Sequence, residues 1–264
     1  MPVMDEKEVG KYWEENAKGW IYLARKGYDV CRDYINTPAF MVLLGDVSDL
    51  NGLDIGCGEG NNTRLVAKKG AKMTAFDISE NFVNACIEKE QEEPLGIKYQ
   101  VASAHKIPFA DSSFDFAMAT MSIMDMPQPE IPLKEAFRVI KPGGFLQFSI
   151  CHPCFATTPS RKWLTDENGK RIAIAIKDYF EEMDVMEEWT FGVAPEEDKC
   201  KFPKFKTPCY HITMSSWLNL ISDAGFCLQK TVEPTVTKEI AETVPFMYDA
   251  RIVPWFVIFR CRKP

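Results

Sequence analysis

The sequence predicts an α/β protein built on a doubly wound, mostly parallel β-sheet, and three observations support this fold class. Short apolar segments alternate with helical patterns between about residues 50 and 150, as consecutive βαβ units do. A glycine-rich loop, with Gly56, Gly58 and Gly60 at alternate positions, follows the first apolar segment. The second apolar segment ends in an acidic residue, Asp77. This order of strand, glycine loop, helix, strand and acid is typical of nucleotide-binding α/β folds.

The N-terminal region, residues 8–44, has a helical pattern with an aromatic-rich face that includes Tyr12 and Trp20. This face can pack against the sheet or cover an active site, and the two alternatives are compatible. We therefore interpret residues 1–46 as a helical cap and regard Tyr12 and Trp20 as candidate substrate contacts.

The central unit follows as an alternation of strands and helices. Strands are predicted at residues 52–55, 72–76, 97–101, 114–120 and 145–150, and helices from about residue 63, at about 80–91 and near 133–140. The Lys-Pro-Gly-Gly sequence at residues 141–144 predicts a turn before the fifth strand, since proline presets φ and glycine tolerates positive φ.

Residues 151–210 interrupt this alternation. The segment mixes proline, aromatic and charged residues, and it is too long for a bare loop in a compact domain. We predict an insertion that covers the substrate and contains strands at residues 171–176 and 189–193. A helix at residues 213–224, stopped by Gly225, and two last strands at 226–232 and 255–261 complete one domain that spans residues 1–264.

Composition limits the classes of partner. The net charge of −7 argues against a nucleic-acid substrate bound through its phosphates. The N-terminus is polar and no apolar run approaches the length of a membrane span, so we expect a cytoplasmic protein without a membrane partner. The nine cysteines are then expected to be reduced thiols. The sequence does not indicate an oligomeric state.

The glycine loop predicts a nucleoside-containing cofactor. Glycines at positions 56, 58 and 60 allow close backbone approach to a ligand, and the loop presents N–H groups and a helix start to it. Asp77 can accept hydrogen bonds from both hydroxyls of a ribose. Alternatively, Asp77 is a surface acid that caps the helix starting at Ser79. Asp54, just before the loop, suits a cationic ligand and would repel a pyrophosphate, or it anchors the loop.

The spacing distinguishes between cofactors. The dinucleotide fingerprint G-x-G-x-x-G requires a glycine where this chain has Asn61. The order D-x-G-x-G-x-G, which starts at Asp54, resembles the first motif of class I S-adenosylmethionine-dependent methyltransferases. The segments at residues 103–109, 121–126 and 138–144 also resemble those of small-molecule enzymes of this class from ubiquinone and menaquinone biosynthesis.

The resemblance implies a Rossmann-like, seven-stranded sheet with an antiparallel last strand, and it implies S-adenosylmethionine as the cofactor. The implied cofactor contacts are Asp54, Gly56, Cys57, Gly58 and Gly60 at the methionine end, Asp77 and Ile78 at the ribose, Ser103 and Ala104 at the adenine, and Met121 beside the sulfonium. The family usually carries an acid where this chain has Ser103, so a hydroxyl would replace that acid here.

Methyl transfer needs a base only when the nucleophile arrives protonated. His152 follows the fifth strand, at the sheet edge where α/β folds bind ligands, and His211 lies just after the insertion. We regard both as candidate catalytic bases, although either can have a plain packing role. His152 and Tyr210, together with Tyr12 and Trp20, are the candidate substrate contacts.

The Cys151-x-x-Cys154 motif suggests a second kind of site. Cys200, Cys209 and His211 could complete a zinc cluster with it. However, the two later cysteines lack short spacing, and a redox pair belongs near the first βα junction, so we predict no metal.

These features together predict methyl transfer from S-adenosylmethionine to a small-molecule acceptor by in-line attack on the sulfonium methyl. Two alternatives stay open: a nicotinamide-dependent oxidoreductase, and a non-catalytic regulatory protein that binds S-adenosylmethionine.

Overall fold

The computed structural model describes residues 4–157 and 160–264. In chain order, the strands are β1 Asn51–Ile55, β2 Lys72–Asp77, β3 Lys98–Val101, β4 Phe114–Thr120, β5 Ile140–Cys151, β6 Ser160–Thr165, β7 Arg171–Lys177, β8 Met183–Trp189, β9 Phe205–His211, β10 Cys227–Val232 and β11 Phe256–Arg262. The α-helices are α1 Glu6–Arg25, α2 Thr37–Leu44, α3 Asn61–Lys68, α4 Glu80–Glu92, α5 Glu130–Val139, α6 Glu196–Lys199, α7 Met214–Asp223 and α8 Lys238–Thr243.

Seven strands form the central sheet in the order β10-β11-β5-β4-β1-β2-β3. The strands from β5 to β3 are parallel, whereas β11 runs antiparallel to both β5 and β10. The predicted α/β class, the mostly parallel seven-stranded sheet and its antiparallel last strand are therefore confirmed. The first glycine loop lies at the carboxyl end of β1, where the strand order reverses and such sheets bind ligands.

Apolar side chains cover both faces of this sheet, as the doubly wound fold requires. On one face, Leu133 of α5 and Ile221 of α7 belong to a core with Phe148 of β5. On the other face, Phe40 of α2 and Val66 of α3 belong to a separate core with residues of β2 and β4. Strands buried on both faces explain why the sequence here reads as continuous apolar runs.

The central unit matches its predicted boundaries within a few residues, except at β5. This strand begins at Ile140, earlier than the predicted residue 145. Ile140 pairs with Phe114, the register then shifts, and Phe145 pairs with Phe116. The Pro-Gly-Gly turn is therefore a bulge within the strand, because the chain leaves the β4 ladder for a few residues and rejoins it.

The N-terminal region is not one helix as far as residue 44. Helix α1 ends at Arg25, and Gly27 adopts a positive φ of 82° that stops it. A π-helical turn, Arg32–Asn36, then leads directly into α2. The predicted N-terminal helices are present, and the turns between them direct residues 28–36 towards the carboxyl edge of the sheet.

The insertion after β5 consists largely of two antiparallel hairpins, β6–β7 and β8–β9. The strand predicted at residues 171–176 is confirmed as β7. The strand predicted at residues 189–193 is wrong, because β8 ends at Trp189. Phe191 instead lies in a turn and packs its ring against Trp20 and Phe205, so the apolar run reflects packing rather than pairing.

The hairpin β8–β9 is attached to α1 by a reciprocal pair of hydrogen bonds. The Asn16 amide donates to the Lys206 carbonyl oxygen over 2.8 Å, and the Lys206 N–H donates to the Asn16 side-chain oxygen over 3.0 Å. Between β10 and β11, α8 and a 3₁₀ turn, Pro245–Arg251, pack against the residues around the π-helical turn. Across residues 4–157 and 160–264, every helix is too short or too polar to cross a membrane.

Candidate cofactor and acceptor site

A cavity of about 640 Å³ opens at the carboxyl edge of the sheet. Its floor is the glycine loop and the segment after β4, and its walls come from α1, the π-helical turn and the two hairpins of the insertion. Gly56, Cys57, Gly58 and Asp77 all line it, so the structure brings the predicted loop and acid to one site.

Gly58 is the part of the loop most open to the cavity. Its φ is 54°, and a Cβ there would meet no other atom of the described residues within 4 Å. Its N–H donates to Asp77 Oδ2 over 2.8 Å. Gly60, in contrast, is held by packing, because a Cβ on it would lie 2.8 Å from the Cys86 sulfur. Gly60 supports the start of α3 and does not line the cavity.

Asp77 is buried at the edge of the cavity and is fixed by backbone donors. Its Oδ1 accepts the Ser79 N–H over 3.0 Å, while Ser79 itself caps α4 by accepting the Phe82 N–H. Burial raises the pKa of Asp77, although the N–H groups of Ser79 and Gly58 counteract this effect. Each carboxylate oxygen keeps a further lone pair for a ligand. Asp77 is therefore not the surface acid of the alternative interpretation.

Asp54 lies behind the loop rather than in the cavity. It is fully buried, does not line the cavity, and its Oδ2 accepts the Thr63 hydroxyl over 2.6 Å. Burial raises the pKa of Asp54 to about 7. The geometry therefore does not favour the predicted contact between Asp54 and a cationic ligand. The hydrogen bond to Thr63 of α3 instead supports the alternative role of anchoring the loop.

Ser103 and Ala104, in the segment after β3, line the cavity as the resemblance implied. Ile78 also lines the cavity. The Ser103 hydroxyl donates to Glu6 Oε2 over 2.5 Å, and the same oxygen lies 3.1 Å from His105 Nδ1. Glu6 also lines the cavity. No local sequence pattern indicated Glu6, because it lies in the first turn of α1, far from Ser103 along the chain.

Met121 lies where the resemblance placed it, at the cavity floor after β4. Its φ of 57° is unusual for a residue with a side chain, and its N–H donates to the Ser149 carbonyl oxygen over 3.0 Å. Non-glycine residues in this conformation cluster at ligand sites, where neighbouring structure maintains the strain.

Part of the cavity wall consists of aromatic side chains, which we call the aromatic wall. Of the predicted substrate contacts, Trp20 and Tyr210 line the cavity, whereas Tyr12 and His152 do not. Several large side chains that the sequence did not single out complete this wall: Phe155, Trp163, Trp189, Phe246 and Trp255.

The two candidate histidines are held away from the cavity, and both are 2% exposed. His152 Nε2 lies 2.7 Å from Glu233 Oε1, and its Nδ1 accepts the Cys154 N–H. His211 contacts the Tyr179 carbonyl oxygen through Nε2 and the Thr157 hydroxyl through Nδ1. Because both nitrogens of each ring are occupied, this arrangement favours the packing role over base catalysis.

Asp125 is another titratable group that sequence reasoning missed. It lies on the 3₁₀ turn Ile123–Asp125 after β4 and lines the cavity. Burial raises the pKa of Asp125 well above its usual range, and the negative charge of Glu187 on β8 adds to this shift. The Tyr210 hydroxyl, also at the cavity, is buried and has no hydrogen-bond partner in the part of the chain that the structure describes. These three groups line the same cavity from three elements: the 3₁₀ turn, β8 and β9.

The cysteines do not form the alternative zinc site within residues 4–157 and 160–264. There, no three His, Cys, Asp or Glu side chains are grouped to hold a metal ion, and no two cysteines are joined by a disulfide. Burial raises the pKa of Cys151 well above its usual value, which is the opposite of an activated thiol.

Comparisons with known proteins place the loop and its strands in one family. Residues 53–148 match the family model of the methyltransferase domain. Over 149 residues, the chain is 32% identical to the ubiquinone biosynthesis O-methyltransferase of Coxiella burnetii, an alignment that covers 55% of this chain and 62% of that enzyme. The first curated relatives, uncharacterized mycobacterial proteins, are covered over 39% of their length. The chain thus matches less than two thirds of these relatives.

Solved structures show the same fold. An S-adenosylmethionine-dependent methyltransferase from Mesorhizobium loti aligns with a TM-score of 0.70 at 23% identity, covering 85% of this chain and 96% of that one. A 1,6-didemethyltoxoflavin N1-methyltransferase from Burkholderia thailandensis, solved with bound 1,6-didemethyltoxoflavin and S-adenosylhomocysteine, aligns with a TM-score of 0.59 at 14% identity. That alignment covers all of this chain and 92% of the other.

Proposed function

We propose that this chain, whose residues 53–148 match the methyltransferase domain family, transfers the methyl group of S-adenosylmethionine to a small-molecule acceptor in the cytoplasm. The observation that carries this proposal is the Asp77 carboxylate. It is buried at the cavity edge and fixed by the N–H groups of Gly58 and Ser79, with lone pairs left for two ribose hydroxyls.

The residues at the cavity fit this cofactor. Gly58 has no neighbour where a side chain would be, so the backbone can lie directly against a ligand. Asp77 and Ile78 would hold the ribose, and Ala104 would meet the adenine ring. We assign the acid that contacts the adenine amino group to Glu6, which stands beside Ser103 and supplies the carboxylate that position 103 lacks.

Catalysis by this chain rests on alignment and on exclusion of water. When bound, S-adenosylmethionine supplies a methyl group already activated by its sulfonium. Met121 and Ser122 fix the floor at that end, since the Ser122 hydroxyl donates to the Ile55 carbonyl oxygen over 2.6 Å. The aromatic wall, including Trp20 and Trp189, would surround the acceptor and exclude competing water.

For an acceptor that arrives protonated, we assign the proton-accepting role to Asp125 rather than to His152 or His211. Asp125 lines the cavity, whereas the ring nitrogens of the histidines are occupied elsewhere. A carboxyl with a raised pKa is a stronger base than an ordinary one, which suits proton transfer near neutral pH. The Tyr210 hydroxyl can orient the acceptor beside it.

The N-terminal cap and the insertion supply the cover of this site within the single domain of residues 1–264. Residues 1–46 contribute α1 and the π-helical turn to the cavity wall, and residues 151–210 contribute both hairpins. The Asn16–Lys206 pair joins these two segments. Acceptor specificity is therefore expected to depend on side chains of the cover, and the negative net charge argues against a nucleic-acid acceptor.

Two alternatives make different predictions. A nicotinamide-dependent oxidoreductase would need a pyrophosphate site, whereas Asn61 replaces the third glycine of that fingerprint. A regulatory protein would bind S-adenosylmethionine without turnover, and Asp125 would then have no catalytic use.

Calorimetric titration tests the proposal directly. We expect saturable binding of S-adenosylmethionine and S-adenosylhomocysteine and no binding of NADH. The exposed Asp223 on α7 does not line the cavity, so Asp223→Ala should bind as the wild type does, whereas Asp77→Ala should bind more weakly. Binding of NADH alone would overturn the assignment. Binding of S-adenosylmethionine without methylation of any acceptor in a broad small-molecule screen would favour the regulatory alternative.

A further inference from the structure

We propose that Asn36 positions the amino-acid end of the methyl donor by donating a side-chain N–H to its α-carboxylate. This inference rests on the proposed function, and it assigns a role to a residue outside every motif of the sequence. Asn36 is the last residue of the π-helical turn, and it lines the cavity.

The Asn36 side chain carries an unused buried donor. The residue is 1% exposed, and its Oδ1 accepts the Ser149 hydroxyl over 3.1 Å. Its Nδ2 has no hydrogen-bond partner among residues 4–157 and 160–264. A buried donor left unpaired is costly, and native proteins rarely retain one without a reason. A ligand in the cavity that accepts this N–H would remove the cost.

The neighbours of Asn36 locate it along the site. Ser149 belongs to β5, and its carbonyl oxygen accepts the Met121 N–H. The next residue, Thr37, donates its hydroxyl to Asn62 Oδ1 over 2.9 Å, and Asn62 is in the first turn of α3, just after the glycine loop. Asn36 is therefore on the β4 and β5 side of the loop.

Asp77 lies on the opposite side of the loop. It ends β2, and the adenine segment follows β3, so both are on the outer half of the sheet. A ligand whose ribose is held by Asp77 and whose adenine lies near Ser103 must extend its remaining end across β1 towards β4. That end carries the α-amino and α-carboxylate groups, and it points towards Asn36.

A carboxylate is the group that suits this donor. Arg32, on the same π-helical turn, is already committed to acids: it lies 2.8 Å from Glu59 Oε1, 2.8 Å from Asp33 Oδ1 and 3.9 Å from Asp29 Oδ2. Its charge is thus balanced within the protein. The amide of Asn36, a residue that lines the cavity, keeps an unpaired N–H that can bind an anion, and hydrogen bonds to charged acceptors are stronger than neutral ones.

The π-helical turn supports a ligand-binding role for its last residue. Such turns are rare and occur frequently at functional sites, because the extra residue changes the direction of side chains relative to an α-helix. Here the turn runs directly into α2, and Asn36 and Thr37 together reach β5 and α3.

The test compares two ligands that differ only in the carboxylate: S-adenosylhomocysteine and its decarboxylated analogue. Calorimetry would give the Kd of both for the wild type, Asn36→Leu, Asn36→Asp and the matched control Asn219→Leu, an exposed position on α7 outside the cavity. Asn36→Leu should weaken S-adenosylhomocysteine binding roughly 10- to 100-fold, since a hydrogen bond to a charged group is lost, and should change the analogue by less than about twofold.

Asn36→Asp provides a second measurement if Asn36→Leu does not fold. It retains the shape and an oxygen for Ser149, but it places a carboxylate against a carboxylate, so it should weaken S-adenosylhomocysteine at least as strongly and spare the analogue. Equal losses for both ligands would overturn the proposal in favour of a structural role. Tighter binding of S-adenosylhomocysteine by Asn36→Asp would also overturn it, because the α-amino group would then be the partner. If the wild type bound neither ligand, the proposed function itself would fail.

Discussion

The carboxylate of Glu6 accepts a hydrogen bond from the hydroxyl of Ser103, across 97 positions of sequence. The same Glu6 oxygen lies 3.1 Å from His105 Nδ1, and all three residues line the cavity. The methyltransferases that this chain resembles usually carry an acid at the position of Ser103. In this protein, an acid from the first turn of α1 stands beside that position, so the N-terminal helix becomes part of the proposed adenine site.

Replacing Glu6 by leucine should weaken S-adenosylhomocysteine binding by roughly tenfold, because the adenine amino group loses a charged acceptor. The inosine analogue, which lacks that amino group, should lose much less. Calorimetry with both ligands measures this difference. Glu15→Leu, an exposed position on the same helix, is the matched control. Equal affinity of wild type and Glu6→Leu for the adenine ligand would contradict the assignment.

Asp77→Ala should weaken S-adenosylhomocysteine binding by more than tenfold and also lower the free energy of unfolding by about 1–3 kcal/mol. The second effect arises because the N–H groups of Gly58 and Ser79 lose their acceptor. Calorimetry and urea unfolding measure the two effects separately. A protein that unfolds at the wild-type urea concentration would show that the loop does not depend on Asp77. Unchanged affinity would refute its role in the cofactor site.

The buried Asp54 should make the wild type less stable as the pH rises. Burial raises the pKa of Asp54 to about 7, above its unfolded value, so the folded protein holds this proton more tightly than the unfolded chain. The contribution is complete below the unfolded pKa and is lost between about pH 4 and pH 7. Asp54→Asn can keep the bond to Thr63 without this titration. Its free energy of unfolding should therefore exceed that of the wild type at pH 8 and approach it at pH 4.5.

The measurement is urea unfolding of both proteins across this pH range, with Asp223→Asn as the exposed control. The difference between Asp54→Asn and the wild type isolates Asp54, because burial also raises the pKa of Asp29 and Asp77 in both proteins. A difference that does not vary with pH would show that Asp54 titrates normally in the folded state.

Asp125→Asn should lower kcat by roughly 10²- to 10⁴-fold with an acceptor that must lose a proton, while the Kd of S-adenosylhomocysteine stays within about twofold. In the wild type, the rate should rise with pH as the Asp125 carboxyl ionises. Because the pKa of Asp125 is raised, this increase should occur at a higher pH than for an ordinary carboxyl. Asp125→Asn should lack this increase of the rate with pH. Rate measurements against pH, with the acceptor identified by screening, provide the test.

His211→Gln is the informative comparison for Asp125→Asn. It removes a ring whose nitrogens contact the Tyr179 carbonyl oxygen and the Thr157 hydroxyl, so it should lower stability and leave the shape of the pH–rate profile unchanged. A profile that changes in His211→Gln but not in Asp125→Asn would restore the histidine as the base.

The central sheet could be predicted from the sequence because the patterns that indicate its strands are local. Each strand of the central unit lies next to the helix that covers it, and the glycine loop, Asp77 and Met121 follow strands directly. In β5, Leu146, Phe148 and Ile150 belong to one apolar core at every second position, so the pattern of the chain itself records the fold. This is why the loop and its acid could be assigned to one site before any contact was known.

The remaining parts of the site depend on long-range contacts that no local pattern records. Glu6 meets Ser103, and Asn36 meets Ser149, only after the N-terminal region folds over the sheet. The histidines show a second limit of local patterns. His152 follows β5 and therefore lies at the ligand-binding edge of the sheet, but its ring contacts Glu233 and is held away from the cavity. Position along a strand predicts the edge of the sheet, not the direction of the side chain.

Five of the six tryptophans line the cavity: Trp13, Trp20, Trp163, Trp189 and Trp255. The exception is Trp217 of α7, which is buried in the core. The intrinsic ultraviolet emission of the protein is consequently concentrated at its ligand site. An occupant that replaces water around these indoles will alter the intensity and the wavelength of that emission. Candidate acceptors can thus be screened by tryptophan fluorescence with the unlabelled protein. Trp217→Phe would remove the one tryptophan that does not line the cavity.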